Sequence, residues 1–120
     1  MAVHLHHVNI MTEKLEASVA FYVEAIGLTR GERPPFGFPG AWLYDGARPA
    51  VHLNLAAEPP ASATAAVDHV AFAYDTLDEA LARLDRLNLR YTPPKPVPGT
   101  TIRQCFVKDP NGVTVELQGA

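Results

Sequence analysis

Three histidines and one glutamate have side-chain types and positions suited to holding a divalent metal: His7, His52, His69 and Glu116. Neutral imidazole together with carboxylate is a donor set that first-row metal ions take from proteins. Parity singles these four out. Successive side chains of a strand point to opposite faces, so residues two apart share a face. Four strand-like segments carry an apolar set of Val8 and Ile10, Val51, Leu53 and Leu55, Val70 and Phe72, and Val113, Val115 and Leu117. The opposite set reads His7 and Asn9, His52 and Asn54, His69, and Thr114, Glu116 and Gln118. A merely solvated sheet face favours Lys, Glu, Thr and Ser. This one carries His on three strands and Glu on the fourth. By the same parity His6 points away from His7, and it reads, with His4, as an ordinary N-terminal residue.

The elements that must position these residues occur twice in the same order. The first half opens with a strand pattern over Leu5–Ile10, then a helical one with Leu15, Val19, Tyr22, Val23 and Ile26 at spacings of three and four, stopped by Gly27. The second half opens with Val67–Phe72 and continues with Leu77, Ala80, Leu81, Leu84 and Leu87 on one helix face, with Asn88 standing where Gly27 stood. Thr76 and Glu79 have the spacing of a capping box. Each half then closes with strands, Ala41–Tyr44 and Ala50–Leu55 in one, Thr101–Val107 and Val113–Gln118 in the other. The turns Asp45-Gly46 and Asp109-Pro110-Asn111-Gly112 join each pair. The pattern is an internal duplication of a βαβββ unit, residues 1–57 and 67–120, with a linker over 58–66 that begins Glu58-Pro59-Pro60-Ala61-Ser62-Ala63.

Between these elements, Arg33–Gly40 and Thr92–Gly99 are rich in Pro and Gly and read as loops. Phe36, Phe38, Trp42 and Tyr44 either line a cavity for a planar ligand or join the core. Of Arg103 and Gln104 only one can share the face of the candidate ligands; Arg103, if inward, would anchor a substrate carboxylate. Cys105 reads as a small buried hydrophobe, having no activating partner in the sequence.

Composition narrows the function. A net charge of −3 argues against nucleic acid, which needs a basic face. No stretch approaches the roughly 20 apolar residues of a membrane span. The N-terminus does not read as a secretory signal, and a lone cysteine fits a reducing compartment, so a cytoplasmic protein is expected. With 48% hydrophobic residues, the chain has enough apolar surface for a core.

Several segments together resemble the vicinal-oxygen-chelate superfamily, which includes glyoxalase I, extradiol dioxygenases, methylmalonyl-CoA epimerase and the fosfomycin and bleomycin resistance proteins. They are His7-Val8-Asn9-Ile10, Ser18–Leu28 with its Phe21-Tyr22 pair, Asp68-His69-Val70-Ala71-Phe72, and Asp109-Pro110-Asn111-Gly112-Val113-Thr114-Val115-Glu116. The resemblance covers essentially the whole chain. It implies an α+β fold of two tandem βαβββ modules forming a half-open barrel-like cup. It also implies metal ligation by His7, His52, His69 and Glu116, with a divalent ion such as Zn, Ni, Co, Mn or Fe(II). His52 and Glu116 are the catalytic candidates.

The partners expected are a small-molecule substrate and a second copy of the chain, in a homodimer whose sites lie at the interface. The activity implied is a metal-dependent isomerase or lyase of glyoxalase type, acting on a substrate held through two vicinal oxygens. The alternatives are an iron(II) extradiol-type ring-cleaving dioxygenase and, from another class, a non-catalytic drug-binding protein such as those of bleomycin resistance. The chain departs from the glyoxalase I pattern at His52, where that pattern is acidic, at Met11, where it has the glutathione-holding Arg, and at Ala56, where it has Asn. A glutathione clamp is therefore not expected.

Overall fold

The computed structural model describes residues 5–60, 62 and 67–120. The chain divides into two compact units, Met1–Ala61 and Ser62–Ala120. Most of the expected linker over 58–66, and His4, lie outside the described residues.

In the first unit β1 (Val8–Thr12) leads to α1 (Leu15–Ala20), which runs on as a π-helical segment over Phe21–Ile26. β2 (Thr29–Gly31), β3 (Gly40–Asp45) and β4 (Arg48–Leu55) follow. The sheet order is β1-β4-β3-β2, parallel between β1 and β4 and antiparallel elsewhere. The second unit repeats this with β5 (Val70–Ala73), α2 (Leu77–Arg86), β6 (Lys95–Pro96), β7 (Arg103–Lys108) and β8 (Thr114–Gly119), in the order β5-β8-β7-β6. The fold is α+β, two βαβββ modules that are each an open four-stranded sheet. The duplication read from the sequence is real.

Each helix covers one face of its own sheet. In the first unit Val51, Leu53, Ala41 and Leu43 are buried together with Val19, Tyr22 and Ile26 of the helix. Thr12 Oγ1 and Ser18 Oγ, 3.2 Å apart, tie β1 to α1 on that side. In the second unit Cys105, Val107, Val115 and Leu117 are buried with Leu77, Ala80 and Leu84 of α2. The alternation then leaves the other face of each sheet to His52 and Asn54, and to Glu116 and Gln118.

The punctuation signals behave as chemistry requires. Gly27, at φ +100°, stops the first helix in the left-handed region, and the N–H groups of Gly27 and Leu28 both reach the Tyr22 carbonyl. Asn88 does the same at φ +57°. In the β7–β8 turn the buried Asp109 carboxylate accepts the N–H groups of Asn111 and Val113 at 2.7 and 2.8 Å.

Four expectations need correction. β1 and β5 begin at Val8 and Val70, so His7 and His69 each stand one residue before a strand. The Thr92–Gly99 loop contains the two-residue β6, paired at the sheet edge where a proline's missing N–H costs nothing. β2, too short to show a periodicity, pairs with β3. Thr76 caps α2 in position only: its side chain makes no cap hydrogen bond. The Leu77 N–H, a separate donor, bonds the Ala120 carbonyl at 3.0 Å.

That closure leaves no room at the end of β8. A Cβ on Gly119 would stand 2.8 Å from both Leu77 N and Tyr74 O, which are backbone atoms. Gly119→Ala should therefore cost about 1–3 kcal/mol, the usual range for overpacking. Urea unfolding of the variant measures this, and an unchanged midpoint would show that the 74–77 turn yields freely.

Candidate functional site

His52 occupies the middle of a row across the first sheet, opposite Asn9 on β1 and Trp42 on β3. Its imidazole lies between two rings. His7 stacks on one face at 3.8 Å between centroids and 8° between planes, and Trp42 on the other at 4.1 Å and 12°. His52 Nε2 is buried and has no hydrogen-bond partner. The ring does bond the Pro49 backbone, which can only accept through its carbonyl, so Nδ1 carries the proton and Nε2 keeps a bare lone pair. A histidine that ligates a metal commonly has this arrangement, its other nitrogen donating to a carbonyl. Burial, and next the charge of a protonated His7, lower the His52 pKa; the Pro49 bond acts the other way.

The second unit holds a pair built on the same plan. His69 precedes β5, Glu116 is on β8 opposite Ala71, and Phe106 lies opposite Glu116 on β7. His69 Nδ1 is 2.8 Å from Asp68 Oδ2, and His69 Nε2 is 3.3 Å from Glu116 Oε1. A neutral imidazole has one N–H to offer two carboxylates. With that proton on Nδ1, Nε2 and Oε1 face each other as two acceptors, an arrangement that calls for a cation shared between them. Ligand atoms about 2.1 Å from an ion, at tetrahedral to octahedral angles, stand roughly 3.0–3.4 Å apart. The observed 3.3 Å suits a metal as well as it suits the second proton of a histidinium. Glu116 is nearly buried while His69 is about one-third exposed.

The structure thus brings His7 to His52 and His69 to Glu116. Among the described residues, no group of three or more His, Cys, Asp or Glu side chains gathers around one point. His6 corrects the parity argument. Because Leu5–His7 is not strand, its ring turns back on His7, with the two Nδ1 atoms 2.9 Å apart.

Arg103 has the parity of Cys105 and Val107 and bonds Asp78 of α2 at 3.0 Å, so it lies on the helix side and Gln104 takes the other face. Cys105 is fully buried, and burial, followed by the charge of Glu116, raises its thiol pKa. Trp42 belongs to the site, whereas the Tyr44 hydroxyl bonds the Glu32 carbonyl at 2.6 Å and its ring lies against Gly31. Phe36 and Phe38 are about half exposed, with the Arg33 guanidinium 5.0 Å from each ring centre.

Sequence reasoning missed Asp68 and the Pro49 carbonyl. The first had a signal, being adjacent to His69. The second had none, since a backbone acceptor leaves no mark in side-chain types.

The lowered pKa of His52 has a sign that can be checked. Above the ordinary value of 6.5 both folded and unfolded chains keep this ring neutral. As pH falls below 6.5 the unfolded chain takes up a proton that the folded one resists, so stability is lost in that range. With chelator present, His52→Gln should lose less stability than wild type between pH 7.5 and about 5.5. Equal losses in urea titrations would show that His52 contributes nothing to acid sensitivity.

Known proteins share this fold. The chain is 26% identical to glyoxylase I 4 of Arabidopsis thaliana, over 94% of its own length and 68% of the relative's. It is 28% identical to the uncharacterised protein YaeR of Escherichia coli K12, over 94% and 93%. A crystal structure of a glyoxalase family protein from Bacillus anthracis superimposes with a TM-score of 0.79, covering 99% of this chain and 96% of that one at 22% identity. Residues 4–117 match the family model of the glyoxalase/bleomycin resistance protein/dioxygenase superfamily, and the chain belongs to that superfamily.

Proposed function

We propose that the protein is a metal-dependent isomerase or lyase of glyoxalase type, acting on a small substrate that presents two neighbouring oxygens. The observation that carries this reading is the 3.3 Å approach of His69 Nε2 to Glu116 Oε1, with Asp68 holding the opposite side of the ring. His7, His52, His69 and Glu116 would hold the ion. When bound, a divalent metal would supply Lewis-acid stabilisation of negative charge on the two substrate oxygens.

The protein's own groups do the rest. Asp68 orients the His69 ring through its Nδ1, which turns Nε2 towards Glu116. His52 would hold the ion in the resting state; when released from it, the neutral ring would have Nε2 available to take a proton from carbon and return it to the neighbouring carbon. The stacked rings of His7 and Trp42 exclude water around that nitrogen. Glu116 is the carboxylate that balances charge in the site. Met11 and Ala56, standing where a glutathione clamp would need other residues, favour a substrate other than a glutathione conjugate.

The reading includes a homodimer in which His7 and His52 of one copy meet His69 and Glu116 of the other. The strands at the sheet ends and the exposed Met11, Leu55, Phe36 and Phe38 offer surface for such pairing.

Elemental analysis should find about one divalent metal per chain, and His69→Ala or Glu116→Ala should abolish it. Full occupancy in both variants would remove the central claim, and a wild-type chain with no metal would favour a simple binder. Mixing His7→Ala with Glu116→Ala chains should restore one intact site per heterodimer, whereas a monomer by light scattering at micromolar concentration would end the shared-site idea. His52→Ala should keep the metal and lose proton transfer. Oxygen uptake with catechols by wild type, undiminished in this variant, would assign the protein to the ring-cleaving dioxygenases.

A further inference from the structure

A cleft of about 250 Å³ lies in the second unit, between the segment that follows α2 and strands β7 and β8. Arg90, Tyr91, Phe106, Lys108 and Thr114 supply most of its wall. The sheet register places it beside the His69–Glu116 pair. Glu116 lies opposite Phe106 and Thr114 opposite Lys108, so Phe106, Lys108 and Thr114 share the helix-free face with Glu116. Since Val70 pairs with Val115, His69 stands beside Thr114 on that same face. Phe106 belongs to both places: it lines the cleft and meets the His69 ring edge-on at 5.7 Å and 81°.

The lining states what such a cleft would take. Tyr91 and Phe106 give it aromatic walls, with Val107 behind them. The cleft's exposed lining is almost wholly apolar. Among the residues that form it Arg90 and Lys108 are cationic and none is acidic, while Asp85 outside it accepts the Tyr91 hydroxyl at 2.7 Å. The Lys108 ammonium donates to the Thr114 hydroxyl at 2.5 Å, a neutral acceptor that leaves its charge unbalanced. The two carboxylates nearest in the register argument are accounted for elsewhere: Glu116 faces His69, and Asp109 is closed on its own turn. An apolar cavity of about 150 Å³ accommodates a benzene ring. The volume here therefore admits one ring or a short chain together with an acid group.

We propose that this cleft binds a small carboxylic acid with a single aromatic ring or short apolar chain. The apolar part lies against Phe106 and Tyr91, and the carboxylate faces Arg90 and Lys108. The apolar part of the ligand follows from the lining, and the acid group from the two cationic residues among those that form it. That the bound acid is the substrate, with its two oxygens turned towards His69 and Glu116, rests on the function proposed above.

Phenylacetate and its neutral isostere phenylacetamide are the probes, titrated into the full-length protein and followed by calorimetry and by backbone amide resonances. Phenylacetate should bind at least about tenfold more tightly, the gain expected of charge-assisted hydrogen bonds. The shifts should centre on Thr92, Phe106 and Thr114. An Arg90→Gln/Lys108→Gln double variant should lose the preference for the acid while keeping its circular dichroism and its metal content. Glu116→Gln should keep the preference.

Equal binding of acid and amide would overturn the proposal, as would a preference that survives in the double variant. Loss of the preference in Glu116→Gln would put the acid on the metal instead of the cleft, and would overturn it too. Metal content is measured separately, so a wild-type chain that binds phenylacetate but no metal would sink the catalytic reading and leave this one standing.

Discussion

A parallel strand pair governs where chemistry can occur in each half of this protein. β1 lies along β4 and β5 along β8, and the register of these pairs decides which side chains the helix buries. With Val51, Leu53, Val115 and Leu117 committed to the helix side, His52 and Glu116 must project from the other face. A slip of one residue would drive the imidazole and the carboxylate into the apolar layer and bring valine and leucine out. Burying a carboxylate there without a partner would cost far more than the marginal stability of a small domain allows. The position of the candidate ligands thus follows from the hydrophobic effect acting on their neighbours, before any requirement of catalysis enters.

This explains why so much was legible in the sequence. The parity of Val51, Leu53, Val115 and Leu117 is a period-two signal that survives without any knowledge of tertiary structure, and Gly27, Asn88 and Asp109-Pro110-Asn111-Gly112 mark helix stops and a turn through local backbone chemistry. Parity failed where its premise failed. His6 lies outside the ladder, so alternation could not say where its ring goes. Arg103 was ambiguous because the neighbours that decide it, Asp78 and the Ala120 carbonyl, are distant in sequence. The capping box at Thr76 has the right spacing, yet its side chain makes no cap hydrogen bond. Sandwiching of His52 between His7 and Trp42 was invisible for a related reason: it joins three segments through side-chain rotamers, which no spacing rule encodes.

The two sheets use one arrangement with different residues. A histidine stands just before the first strand, a donor on the last strand faces it, and an aromatic ring occupies the place opposite that donor on the third strand. In the first unit these are His7, His52 and Trp42; in the second they are His69, Glu116 and Phe106. The aromatic partner makes physical sense in both. A flat apolar ring beside an imidazole restricts its rotation and keeps water from competing for its nitrogen.

The equivalence of His52 and Glu116 bears on how such a protein diversifies. Each half closes its own core under its own helix, and each sets its own pair of polar residues from a single strand register. A codon change at position 52 or 116 alters the character of one working face while leaving the hydrophobic layer beneath it untouched. The two copies of the unit can therefore diverge at their working faces while their scaffolds stay the same. A lineage built in this way samples new combinations by altering one half at a time.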